Sequence, residues 1–223
     1  MVNNLLIVQA RSGSQRLKNK IFLKISSKLT AIDLLLSRLK KSKKHDLLYL
    51  AVPKKDKKIF QKKLRDKKIN IYYGNEKNVL KRFYNLASKI NPKNIIRVTS
   101  DCPLLDPKIL DKIVNIHEEK KVDYTANNYP DGQDVEIFSF KSFKKLFTIS
   151  KSSKSKEHVT QNYYVTKKFK TYFYNKYKKY SFVKMSLDTF EDYIYIKKLY
   201  SLTKKKSDFQ LEELIKITKN KIL

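Results

Sequence analysis

The strongest constraint on the fold of this chain is the alternation of short apolar runs with amphipathic helical patterns over its first 140 residues. Strand patterns fall at 4–9, 47–52, 69–73, 94–99, 122–126 and 134–140, and helical patterns at 30–43, 54–66, 77–90 and 106–119. Strands separated by helices do not pair as tight hairpins, so this rhythm predicts an α/β fold: a mainly parallel, doubly wound sheet with helices on both faces. The helix over 30–43 places Ile32, Leu35, Leu36 and Leu39 at helical spacing, with Arg38, Lys40 and Lys41 facing outward. Asn91-Pro92 ends the third helix. Asp106-Pro107 opens the fourth, with Asp as the cap and Pro at the first helical position. Beyond residue 140 the rhythm weakens. A polar Ser/Lys segment at 150–155 reads as a loop, and a helical stretch over 156–167 follows. The aromatic, lysine-rich piece 169–180 reads as an extra sheet layer or a dimer arm, and helices near 189–203 and 207–220 close the chain.

The formal charge of +30 attracts polyanions in general and says nothing of fold. The lysines are spread over the whole chain rather than gathered in an Arg-containing stripe, so a solvated basic surface is expected and nucleic acid is not the expected partner. Arginine is scarce. Only Arg11, Arg16, Arg38, Arg65, Arg82 and Arg97 occur among 51 basic residues, so a retained Arg points to a site that needs a planar, bidentate cation. No apolar run is long enough to cross a membrane, and the N-terminus runs straight into a strand, so a cytoplasmic protein without membrane insertion is expected. The single Cys102 makes no internal disulfide. HExxH, paired CxxC, GxSxG, Walker A and GxGxxG patterns are all absent, which argues against zinc hydrolysis and acyl transfer.

Five short segments carry the chemistry. The loop Gln9-Ala-Arg-Ser-Gly-Ser-Gln-Arg-Leu-Lys-Asn-Lys20 leaves the end of the first strand, where open α/β sheets bind ligands. Its Gly13 admits close backbone approach, and Arg11, Arg16 and Lys20 supply positive charge for a polyphosphate. The fourth strand ends in Thr99-Ser100-Asp101-Cys102-Pro103 and delivers Asp101 to the same crevice, as a ligand for Mg²⁺ or as a turn cap. Asp131, Asp134 and Glu136 crowd around Gly132, either holding a cation or hydroxylated ligand or forming a polar turn. Glu157 and His158 lie at a helix start for which Ser155 is a candidate cap. Asp188 ends a strand-like piece before Thr189 begins a helix. A phosphate-wrapping loop, strand-end aspartates and a polar pocket together describe nucleotidyl transfer, in which the protein positions reactants and neutralises charge.

Taken in order, these segments resemble the SpsF-type cytidylyltransferases, relatives of the CMP-sialic acid and CMP-keto-deoxy-octulosonate synthetases. The resemblance rests on QARSGSQRLKNK at 9–20, GNEKNVLKRF at 74–83, RVTSDCPLLDP at 97–107, DGQDVEIFSF at 131–140, EHVT at 157–160 and LDTFEDY at 187–193. It runs from about residue 4 to 200. It implies the nucleotide-diphospho-sugar transferase (Rossmann-like) fold in one domain spanning 1–223, with a dimerisation or acceptor-side segment around 128–180. It also implies an Mg²⁺-dependent reaction that moves CMP from CTP to a sugar or sugar acid for surface polysaccharide or glycan synthesis. On that resemblance Arg11, Ser12, Gly13, Arg16 and Lys20 hold the triphosphate, and Gly74, Asn78 and Arg82 approach cytosine and ribose. Asp101 and Asp188 hold the metal. Asp131, Asp134, Glu136, Glu157 and His158 face the acceptor, and Arg11, Lys20 and Asp101 carry the catalysis. A homodimer is implied as well. The chain departs from the family pattern at Lys18, at Ser27-Lys28-Leu29 and at Gln161, on loop stiffness and the acceptor side. Transfer from another nucleoside triphosphate and nucleic-acid binding on this scaffold are the competing readings.

Overall fold

The computed structural model describes residues 2–203 and 208–221. Seven strands form one sheet: β1 Asn4–Gln9, β2 Leu47–Pro53, β3 Asn70–Gly74, β4 Asn94–Thr99, β5 Tyr124–Asn127, β6 Val135–Ser139 and β7 Thr171–Phe173. Their spatial order is β3-β2-β1-β4-β6-β5-β7. Pairing is parallel throughout except at β6, which runs antiparallel to both β4 and β5. The order reverses between β1 and β4, and at such a switch point the loops leaving the two strands diverge and open a crevice.

The helices are α1 Ala31–Leu39, α2 Lys57–Lys63, α3 Val79–Ile90, α4 Pro107–Lys120, α5 Phe140–Ile149, α6 Ser153–Glu157, α7 Gln161–Val165, α8 Phe190–Leu202 and α9 Leu211–Lys221. Alternate residues of β1 feed two cores, because side chains of a strand point to opposite faces. Leu6 and Val8 pack with α1, α4, α8 and α9, whereas Leu5 and Ile7 pack with α3, α5 and Tyr163 of α7. Both sides of the sheet are thus sealed, which is why the strands read as continuous apolar runs rather than alternating ones.

The expected helix starts hold where local capping chemistry is strong. Asp106 caps α4 through Lys108 N–H at 2.8 Å, with Pro107 next. Its second carboxylate oxygen accepts from Leu211 N–H at 2.7 Å, so one side chain secures the starts of both α4 and α9. Ser207, the first residue expected of the last helix, lies outside the described residues.

Four expectations are corrected. Arg38 is buried, not outward. Its guanidinium lies 3.6 Å over the Phe209 ring and donates to the carbonyls of Leu105 and Phe209, because the C-terminal segment covers that flank of α1. The stretch 140–149, left without structure by the weakening rhythm, is the amphipathic helix α5, capped by Ser139. The helix expected over 156–167 is two short helices, α6 and α7. Ser152 caps the first, while Ser155 is buried inside it. The piece preceding Asp188 pairs only through a single bridge, Asp131 with Lys184, rather than as a strand. The aromatic piece 169–180 contributes β7, which extends the existing sheet at its edge beside β5.

Candidate active site

The loop after β1 is built to stay open. Its first anchor is Ser12, whose N–H donates to the buried Asp56 at 2.7 Å from the turn after β2. Its second is Asn19, in the left-handed region at φ 55°, whose N–H closes the loop on Ser12 C=O at 3.2 Å. Ile21 and Phe22 then plunge into the core and fix the backbone of Lys20. Gly13 stands between these anchors, and a Cβ added to it would meet nothing within 4 Å. The bare glycine leaves its space to the crevice.

Opposite lies the end of β4. The backbone bond from Leu187 N–H to Asp101 C=O, 2.7 Å, draws the segment before α8 against it and sets Asp188 beside Asp101. Lys20 Nζ stands between the two carboxylates, 2.7 Å from Asp101 Oδ2 and 2.9 Å from Asp188 Oδ1. Arg16 reaches the same Asp188 oxygen at 2.9 Å, and Lys184 lies 3.8 Å from the other. Burial alone would raise the Asp101 carboxyl, but Lys20 outweighs it and holds the group below the ordinary carboxylate range. In turn, the carboxylates overcome the desolvation of Lys20 and keep it charged. Asp101 caps no helix, since Asp106 does that work.

A crevice of about 530 Å³ runs between these groups, lined by Arg11, Gly13, Arg16, Lys20, Arg82, Arg97, Asp101, Glu157, His158 and Asp188, among others. A second pocket of about 470 Å³ adjoins it and shares Arg11, Gly13 and Glu157. Glu76 also lines both, and Asn78 and Ser153 line only the second of the two. The structure thus brings Arg11, Gly13, Arg16 and Lys20, both proposed metal carboxylates and the Glu157-His158 pair into one place, while Ser12 lines neither pocket and anchors the loop to Asp56.

Gly74 and Arg82 work as a unit. A Cβ at Gly74 would fall 2.6 Å from Arg82 Cγ, so this glycine makes room for the arginine stem. Arg82 is 2 % exposed, donates to Asn75 C=O at 2.7 Å, and leaves its Nε without a partner among the described residues. Burial, with repulsion from Arg11, lowers its pKa to about 10 against the pull of Asp56. Arg82 thus lines the crevice as a largely buried guanidinium, while its unpaired Nε is itself shielded from the crevice. Asn78 caps α3 through Lys81 N–H and so orients the helix that carries Arg82.

The acidic turn is placed differently. Glu136 faces Arg97 directly across the antiparallel β4–β6 pair. Its carboxylate pairs with Arg97 and accepts from Tyr124 and Thr160 hydroxyls, each at 2.6 Å. Burial would raise this carboxyl, but Arg97 and the two hydroxyls hold it low. Glu136 therefore lies behind Arg97, which carries Gln9 on its other donors at 2.9 and 3.1 Å and itself lines the crevice. Through Thr160 the same carboxylate holds the segment bearing Glu157 and His158. Asp131 accepts from Ser186 at 2.9 Å, and Gly132, at φ +85°, lies so close to the Met185 carbonyl that a Cβ would sit 2.4 Å from its carbon. This turn docks the segment that carries Asp188. Asp134 accepts from Gly132 N–H. Its burial, with the charges of Asp131 and Glu136 adding to it, pushes its pKa up to about 7. None of these three carboxylates is among the crevice-lining side chains.

Sequence reasoning left Gln9 and Arg97 out of the site, and it left out Thr160, which supports the site from behind through Glu136. The scarcity of arginine is the signal that would have found Arg97. Of six arginines, four line the crevice, Arg38 is a buried tie and Arg65 is exposed. Among the described residues no group of three or more His, Cys, Asp or Glu side chains is arranged to hold a metal ion. Asp101 and Asp188 suit a cation that takes its remaining ligands from phosphate oxygens, the usual habit of Mg²⁺ at nucleotide sites.

A profile of the family described as cytidylyltransferase matches residues 5–223. The spore coat polysaccharide biosynthesis protein SpsF of Bacillus subtilis is 29% identical over 230 residues, covering 95% of this chain and 92% of that protein. A cytidylyltransferase structure from Leptospira borgpetersenii is 28% identical, with a TM-score of 0.89 over 98% of this chain and 94% of that one. The structure of a CMP:2-keto-3-deoxy-manno-octonic acid synthetase complexed with CTP aligns at a TM-score of 0.70 over 90% of this chain and 99% of that one. At 11% identity it attests the fold alone.

Proposed function

The chain belongs to the cytidylyltransferase family and is a nucleotidyltransferase that uses CTP, and from that premise we propose that it transfers CMP to a hydroxyl of a sugar or sugar acid, with Mg²⁺, for surface polysaccharide or glycan synthesis. The single observation that carries this reading is the meeting of Lys20, Asp101 and Asp188 beside the open Gly13 loop at the switch point of the sheet. The loop residues Arg11, Ser12, Gly13, Arg16 and Lys20 bind the triphosphate. Arg82, seated by Gly74 and aimed from a helix capped by Asn78, binds the base or ribose. The acceptor enters from the side of Glu157 and His158, its floor formed by Arg97. Asp131, Asp134 and Glu136 support that half from behind. The acceptor oxygen forms a bond to the α-phosphorus as the bond to the bridging oxygen of the β-phosphate breaks. The hydroxyl proton passes to solvent, and pyrophosphate carries away the electron pair. Arg11 and Lys20 neutralise charge on the phosphates as it develops. Asp101 and Asp188 hold Mg²⁺, which when bound supplies further charge neutralisation at the phosphate oxygens.

The role in polysaccharide synthesis is supported by the likeness to SpsF, a spore coat polysaccharide biosynthesis protein. A homodimer through the segment after residue 128 is supported by the exposed apolar side chains Tyr164, Val165, Phe182 and Phe190. No helix among the described residues is long and apolar enough to cross a membrane. Calorimetric titration of CTP, UTP, ATP and GTP with Mg²⁺ at moderate salt, with a short RNA as competitor, tests the nucleotide half. CTP is expected to bind at least tenfold more tightly than the others and to lose that binding in Arg11→Ala. Equal, salt-sensitive binding of all four, with RNA tighter, refutes the reading. Pyrophosphate release over a panel of sugars and sugar acids then identifies the acceptor.

A further inference from the structure

We propose that Lys20 occupies the position of a divalent cation between Asp101 and Asp188 until nucleotide arrives, so that metal binding to this protein depends on nucleotide. The inference rests on the reading that these two carboxylates hold the metal. The Lys20 ammonium makes a hydrogen bond to each of them, and its side chain is only 11% exposed. Arg16 and Lys184 crowd the same Asp188 carboxylate. Lys184 is held chiefly by Asp192, 2.7 Å away, so Asp101 and Asp188 already face two cations at hydrogen-bond distance, Lys20 and Arg16, with the Lys184–Asp192 pair alongside. A dication arriving alone must displace the ammonium and sit among like charges at close range, where Coulomb energies are large. Two carboxylates also leave its oxygen shell incomplete, and among the described residues no third Asp, Glu, His or Cys side chain joins them.

A triphosphate removes both obstacles. Its oxygens complete the shell, and its charge gives Lys20 and Arg16 new partners. Lys20 suits this exchange. Its backbone is fixed where the turn Lys20–Phe22 enters the core, so only the flexible four-carbon stem has to move. Arg16, with a side chain 63% exposed, is free to follow.

Mn²⁺ is the probe, its free concentration read by electron paramagnetic resonance with the full chain in the absence of nucleotide. Wild-type protein is expected to bind Mn²⁺ weakly and Lys20→Met at least tenfold more tightly. Adding Asp101→Asn to Lys20→Met is expected to restore weak binding. A gain of affinity is not a result that misfolding produces. Arg16→Ala, an exposed change, is expected to tighten binding by a smaller factor and serves if Lys20→Met does not fold. In parallel, CTP affinity is titrated with Mn²⁺ and with a chelator. If Asp101→Asn keeps the full enhancement of CTP binding by Mn²⁺, the metal assignment itself is wrong, and the lysine inference falls with it. If Asp101→Asn loses that enhancement, yet wild type binds Mn²⁺ without nucleotide as tightly as Lys20→Met does, the metal assignment stands and the lysine inference is overturned.

Discussion

Two turns of this chain share a pattern, a glycine among charged residues, and part ways in three dimensions. Residues 11–20 and residues 131–136 each set a glycine among charged side chains, and each reads from the sequence as facing a ligand. Gly13 projects toward open space, and its neighbours Arg11, Arg16 and Lys20 line the crevice. Gly132 is pressed against the backbone of Met185 and Ser186, and its neighbours turn inward: Asp131 to Ser186, Glu136 to Arg97, Tyr124 and Thr160. In one turn the missing side chain admits a ligand. In the other it admits the chain itself, and the acids become the scaffold that positions Asp188 and the Glu157-His158 segment. A charged glycine turn is thus not a site until its surroundings are known.

The contrast breaks most visibly in turnover. Asp101→Ala is expected to lower kcat by about 10³-fold, the scale seen when one preorganised electrostatic group is lost, with the denaturation midpoint near wild type. Asp131→Ala, which loses one hydrogen bond to Ser186, is expected to stay within about tenfold. If the two variants fall equally, the turn around Gly132 contacts substrate and the division drawn here fails.

Stability reverses the ranking. Gly132→Ala adds a Cβ at positive φ against a carbonyl and is expected to cost about 2–5 kcal/mol by denaturant titration. Gly13→Ala is expected to change stability by no more than about 0.5 kcal/mol. It should instead weaken CTP binding about tenfold, or 1.4 kcal/mol, by filling space meant for phosphate. Unchanged CTP affinity in Gly13→Ala would show that the open space is unused.

The smallest effect sharpens the comparison through pH. The Asp134 carboxyl, pushed up to about 7 mainly by burial, favours its neutral form in the folded protein. Below about pH 4 it is protonated whether folded or not and costs nothing. As pH rises from 4 to 7 the unfolded chain releases the proton more readily, so folded stability declines, and above 7 the loss is complete. Asp134→Asn removes this slope and keeps an acceptor for Gly132 N–H. The variant is expected to denature later than wild type at pH 8 and together with it near pH 4. A constant difference across that range would show that Asp134 does not titrate there.

Resemblance, more than local pattern, pointed to the pairing of Asp101 with Asp188 across the crevice. Local pattern by itself reached the elements. Apolar runs marked six of the seven strands, and capping residues such as Asp106 and Thr189 marked helix starts. The short edge strand β7 was not legible, because three extended residues leave little periodic signal. The helix α5 was missed although Phe140, Phe143, Leu146 and Phe147 recur at helical spacing, because it follows directly on β6 and its first apolar residue reads as the end of that strand.

Hydrophobic period and capping are written within a dozen residues, so the chain alone determined an α/β sheet with polar loops after its first and fourth strands. The order of the strands is not written locally. It arises when elements far apart in sequence bury each other's faces. That order put β6 antiparallel beside β4, turned Glu136 into the partner of Arg97, drew Arg38 under Phe209, and set Lys20 between Asp101 and Asp188. A charged side chain's role depends on what covers it, and only the tertiary structure decides that, because burial and opposite charge together set whether it is a tie or a tool.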